Sequence, residues 1–98
     1  DDMLNIKILG PGCANCYILE GLTIASLEFM TENGAKELDL EDVTLQHLTR
    51  PEDFRQYNLF FTPGLVVNDR LVCAGRLPSA LEIRGWLAAA WDQSQPQP

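Results

Sequence analysis

The chain has 98 residues, enough for a single domain around one core and too few for two. Seven basic against fourteen acidic residues leave a formal charge of -7, which argues against nucleic-acid and anionic-membrane partners, both of which need clustered Lys and Arg. No apolar run approaches the roughly 20 residues of a membrane span and no basic-then-apolar signal opens the chain, so a cytoplasmic location is expected.

Residues 3–9 are apolar and β-branched enough for a strand, with Ile6 and Ile8 on one face and Lys7 on the other. Gly10, Pro11 and Gly12 break that strand. From about Ala14 to Asn33 apolar residues recur at Ile18, Leu19, Leu22, Ala25, Phe29 and Met30, a helical stripe that Asn33-Gly34 can stop. Val43, Thr44 and Leu45 predict a second strand over 42–48. Thr49-Arg50-Pro51-Glu52 has the form of a capping box with an early proline, opening a short helix to about Tyr57. Thr62 to Val67 is a proline-led strand, Asn68-Asp69 a two-residue hairpin turn, and Arg70 to Ala74 the returning strand. A second capping box, Ser79-Ala80-Leu81-Glu82, opens a last helix carrying Ile83, Leu87, Ala90 and Trp91 at helical spacing. One domain is expected over 3–92, with a polar tail over 93–98 expected to be disordered.

The chemistry concentrates in Gly10-Pro11-Gly12-Cys13-Ala14-Asn15-Cys16, where a strand hands over to a helix. Residues i and i+3 share a helix face, so Cys13 and Cys16 can approach closely. The first of the pair would lie at the positive end of the helix, where a thiolate is favoured. A C-x-x-C after a strand in a small α/β chain points to a dithiol/disulfide redox site, although the same spacing also binds metals. Three cysteines are an odd number for a structural disulfide framework, and in a reducing compartment a close pair is catalytic or metal-binding. Cys73 suits a small buried hydrophobe in the return strand. His47, the one histidine, makes a Cys13, Cys16, His47 and Cys73 zinc site formally possible, but the spacing matches no compact zinc motif. Pro11 and Tyr17 suit an apolar patch around Cys13, to which one of Phe60 and Phe61 can add, with at least one of those two in the core.

Three stretches together resemble the thioredoxin-like superfamily: Ile6 to Cys16, Thr62-Pro63-Gly64-Leu65-Val66-Val67-Asn68, and Ala74-Gly75-Arg76-Leu77-Pro78-Ser79. The chain is most similar to its small archaeal and bacterial branch of redox-active disulfide proteins, here with a Cys-Ala-Asn-Cys motif. The resemblance implies an α/β fold of glutaredoxin size, a four-stranded mixed sheet with three helices in the order β-α-β-α-β-β-α. It also implies a cis Thr62–Pro63 bond, with the Pro63 loop beside Cys13. The implied activity is thiol–disulfide exchange with protein substrates, Cys13 attacking and Cys16 resolving. Thr62, Pro63, Pro11 and Gly12 would face the substrate, the Pro63 segment pairing with an extended peptide and keeping metal ions off the dithiol. No flavin or nicotinamide motif is present, so no cofactor is expected and electrons would come from an external reductant or reductase. The protein is expected to act as a monomer.

The chain departs from the family in carrying an insertion around Gly34 to Glu41, and Gly75-Arg76 where glutaredoxins have a glutathione-binding Gly-Gly-acid. Lys7 lies near the place of the buried carboxylate of ordinary thioredoxins. The rival reading of the same pair is a binding module for a soft metal or metalloid such as Cu(I) or arsenite. Small metal-binding domains of that kind read β-α-β-β-α-β, which the Pro63 strand and the final helix do not match.

Overall fold

The hydrophobic residues of the first strand sort by parity onto two faces, and the rest of the molecule follows. A computed structural model describes residues 4–33 and 38–94. Strand β1 spans Leu4–Leu9, with Leu4, Ile6 and Ile8 fully buried on one face. Helix α1, Ala14–Glu32, follows the glycine-rich turn. A 3-10 turn at Leu40–Asp42 leads into β2, Val43–Leu48, and then α2, Pro51–Gln56. Strands β3, Gly64–Val67, and β4, Arg70–Ala74, form a hairpin, and α3, Ala80–Ser94, closes the described chain. The sheet order is β2-β1-β3-β4, with β1 parallel to β2 and antiparallel to β3.

Two cores flank the sheet. On one face Ile6, Ile8, Leu65 and Val67 meet Leu19, Leu27 and Met30 of α1 and Ile83, Leu87 and Trp91 of α3. On the other, Leu9, Val66 and Leu59 pack with Phe54 and Tyr57 from α2 and its C-terminal end. The parallel β1–β2 pair needs a crossover, and α1 supplies it. No helix of the described residues is long and apolar enough to cross a membrane.

The local signals held unevenly. Asn68 and Asp69 adopt left-handed φ of 48° and 66°, the backbone a tight two-residue hairpin turn requires. At α3 the capping box forms in full: Ser79 N donates to Glu82 Oε1 at 3.0 Å and Glu82 N donates to Ser79 Oγ at 3.1 Å. At α2 it does not. Arg50, not Thr49, is the N-cap, and its side chain makes no capping bond. Pro51 in the first turn shifts the helix start by one residue, and Arg50 Nε instead donates to Asp53 Oδ2 at 3.3 Å. Helix α1 ends at Asn33, whose backbone N–H and side-chain amide both donate to Phe29 O. Residues 34–37, half of the expected insertion, lie outside the described residues. Helix α3 reaches Ser94, two residues into the stretch expected as tail, and residues 95–98 lie outside the described residues.

The reading of Phe60 and Phe61 needs correction. Neither is in the core: they are 84% and 73% exposed. Leu59 takes the core place beneath this loop, packed against Gly64, so the next two side chains are carried outward as the chain turns to Pro63.

Candidate redox site

Cys13 is the N-cap residue of α1, and its carbonyl accepts the first helical bonds, from Cys16 N at 3.0 Å and Tyr17 N at 3.3 Å. Its side chain is exposed, whereas Cys16, one turn inward, is buried; both are free thiols. Position separates their chemistry. The Cys13 thiol is held below its ordinary range, first by the hydrogen bond from the Cys16 thiol and then by the backbone N–H of Cys16. Burial pushes the Cys16 thiol up, and its hydrogen bond to Cys13 adds to this. The turn therefore favours the charged form at Cys13 and the protonated form at Cys16.

Gly10 is the hub of the turn. A Cβ there would run into Cys16 Sγ and lie 3.3 Å from Cys16 Cβ and 3.9 Å from Pro63 Cα. Absence of a side chain at residue 10 thus lets the end of β1 press against both Cys16 and the Pro63 segment. Gly12, with φ of 97°, makes the reversal into α1, and exposed Pro11 forms its outer edge. The Thr62–Pro63 peptide bond is cis. The Pro63 carbonyl accepts from Gly75 N at 2.9 Å, and Phe61 lies over Gly75. Gly10 thus lies against both Cys16 and Pro63; Pro11, Gly12 and Cys13 follow it in the chain, and Thr62 precedes Pro63. Exposed Tyr17, Phe60 and Phe61 are apolar side chains from the segments that flank these residues.

A family model described as Thioredoxin domain matches residues 4–88. A thioredoxin of Methanothermobacter thermautotrophicus is 32% identical over 82 residues, covering 84% of this chain and 95% of that protein. The chain belongs to the thioredoxin family. Its α/β architecture, a four-stranded mixed sheet with three helices, is that expected of a thioredoxin-like fold. Membership places it in a family of thiol–disulfide oxidoreductases, and the Cys13–Cys16 spacing fits.

Cys73 is buried, its thiol directed at Arg76 O at 3.8 Å, and burial pushes it up in pKa. It lies on β4, whereas His47 lies on β2 at the opposite edge of the sheet. Among the described residues no group of three or more His, Cys, Asp or Glu is arranged to hold a metal ion.

Two residues named from the sequence make contacts that it did not foretell. Lys7 does occupy the α2 face of β1, but its amine donates to Tyr57 Oη at 2.7 Å and is held above its ordinary range mainly by that bond. His47 reaches the redox turn itself: Nε2 lies 3.2 Å from Gly10 O and Nδ1 3.1 Å from Glu20 Oε1. Its signal was the alternation Val43, Leu45, His47, which puts the histidine on the inward face of β2.

Proposed function

We propose that this member of the thioredoxin family reduces disulfides in protein substrates, with Cys13 as nucleophile and Cys16 as resolving residue. The observation that carries the reading is the opposed pair: an exposed, thiolate-favouring Cys13 at a helix N-terminus and a buried, proton-holding Cys16 one turn on. Cys13 thiolate attacks one substrate sulfur; a Cys13–substrate disulfide forms, the substrate S–S bond breaks, and the departing thiolate takes a proton. Cys16 then gives its proton to solvent and attacks Cys13 Sγ. The Cys13–Cys16 bond forms and the second substrate thiol leaves, two electrons having passed to the substrate. An external reductant or reductase restores the dithiol.

Thr62 and Pro63 present the backbone edge for an extended substrate peptide, with Pro11 and Gly12 on the other side of the thiols. The Pro63 carbonyl is already held by Gly75, which leaves Thr62 as the pairing residue. Exposed Phe60, Phe61 and Tyr17 favour apolar residues next to the substrate disulfide. A reducing cytoplasm suits a catalyst that must return to the free-thiol state.

Redox titration against glutathione or dithiothreitol, with thiols counted with and without a chelator, tests this reading. Reversible two-electron oxidation of Cys13 and Cys16, indifferent to chelator, is expected. Bound metal or metalloid that protects both thiols while no disulfide forms would replace it with the soft-metal module. Cys16→Ser should trap mixed disulfides through Cys13, and Cys13→Ser should trap none; equal trapping would overturn the assignment of roles.

A further inference from the structure

We infer that His47 is a positioning residue for the resolving step, bracing the backbone that backs Cys16. This rests on the oxidoreductase reading above and adds a residue to it. Every other inward side chain named on β2, Val43 and Leu45, is apolar and packs on the main core. His47 follows them in the same alternation, and its side chain is only 16% exposed, so a polar ring sits where a third aliphatic side chain would serve packing alone.

The ring contacts both elements that flank the redox turn. From β2 its Nε2 donates to Gly10 O at 3.2 Å, while the adjacent Leu48 O accepts from Gly10 N at 3.0 Å. Both polar backbone atoms of Gly10 are therefore held by consecutive residues at the end of β2. On the α1 side Nδ1 meets Glu20 Oε1 at 3.1 Å, and the ring stands edge-on to Tyr17 at 5.5 Å and 72°. Glu20 lies one turn after Cys16, and Tyr17 directly follows it. Both facing groups, a carbonyl and a carboxylate, are acceptors.

The mechanical consequence falls on Cys16 more than on Cys13. Gly10 is the wall against which Cys16 Sγ rests, whereas Cys13 is exposed and draws its thiolate character from groups of the turn itself. Releasing the Gly10 carbonyl lets that wall recede, and the Cys16 sulfur loses the confinement that keeps it close to the Cys13 sulfur it must attack. Intramolecular attack depends steeply on such confinement.

The two steps can be read separately with 5,5′-dithiobis(2-nitrobenzoate) in stopped flow, in a Cys73→Ala background. Attack by Cys13 releases the first thionitrobenzoate, leaving a mixed disulfide; attack by Cys16 on Cys13 Sγ releases the second and closes the Cys13–Cys16 bond. His47→Leu is expected to slow the second release about tenfold, the scale of one lost hydrogen bond, while changing the first less than about twofold. His47→Gln, whose amide N–H can reach the Gly10 carbonyl, should recover most of the second rate. Glu20→Gln, a milder change on the α1 side, should slow the second release alone, and it decides the matter if the leucine variant does not fold. An unchanged second release, equal slowing of both releases, or His47→Gln as slow as His47→Leu would overturn the inference and leave the oxidoreductase reading standing. Failure of the unmutated Cys13–Cys16 pair to give a second release would overturn that reading, and this inference with it.

Discussion

Cys13 acquires its thiolate character from donors supplied by the first turn of α1, led by the Cys16 thiol and followed by the Cys16 N–H. Its alkylation by iodoacetamide should therefore titrate with a midpoint below the roughly 8.5 of a free cysteine, and that of Cys16 above it. The sign follows from the causes: bonds to the thiolate favour the charged form at Cys13, and burial disfavours it at Cys16. Cys16→Ala removes the leading donor and should raise the Cys13 midpoint, whereas Cys16→Ser retains a hydroxyl donor and should raise it less. Rates measured across pH in the three proteins check this. Gly10 yields a second expectation at the same scale. Its missing Cβ is the space that Cys16 Sγ occupies, so Gly10→Ala should lower both stability and the rate of disulfide closure, read by thermal melting and by loss of free thiols.

At the scale of elements, α3 begins with a reciprocal cap reinforced by a bidentate ion pair. Arg76 donates to both Glu82 oxygens, at 3.2 and 2.8 Å, and Ser79 N donates to Oε1 as well. The Arg76 guanidinium first, then the Ser79 N–H, hold the Glu82 carboxyl down at about 2. Because the unfolded carboxyl titrates near about 4.3, the associated stability is present above that pH and is lost as pH falls toward about 2. Glu82 is partly exposed, with 40% of its side chain accessible, so solvent screens the ion pair and its effect on stability stays small. A two-dimensional NMR titration of Glu82 would show the depressed midpoint, and Arg76→Ala should move it upward. Ser79→Ala removes the other half of the cap and should cost about 1 kcal/mol in denaturant unfolding. The two capping boxes also show why local motifs are unequal guides. Ser79 and Glu82 meet at the start of α3, where the proline, Pro78, precedes the cap. Before α2 the proline takes the first helical position, and the helix starts from Arg50 rather than Thr49.

For the whole molecule, the sheet is the common wall of two cores, and the redox turn stands where β1 leaves it. Leu87 of α3 is fully buried in the larger core, on an element that contributes no atom to the redox turn. Leu87→Ala should destabilise the fold by about 2–5 kcal/mol through lost contacts and a cavity. Cys13 alkylation in the folded fraction should stay unchanged; a parallel loss of thiol reactivity would show that the site depends on α3 packing. A net charge of -7 gives the protein an acidic field, so association with a basic partner should slow as salt is added.

The periodicities and punctuation of the sequence determined the element order, the two faces of β1, the hairpin at Asn68-Asp69 and the thiol pair at a helix start, because each is set by residues within a few positions of one another. Family resemblance extended this to the Pro63 segment. Long-range placement was decided only by the tertiary structure. Phe60 and Phe61 have the composition of core residues, but Leu59 fills the space beneath them and both stay outside. Lys7 finds Tyr57 fifty positions away, and His47 finds Gly10 and Glu20 across 37 and 27 positions. No local pattern encodes such pairings, since they exist only once β2 has aligned in register with β1 and α1 has folded back across the sheet.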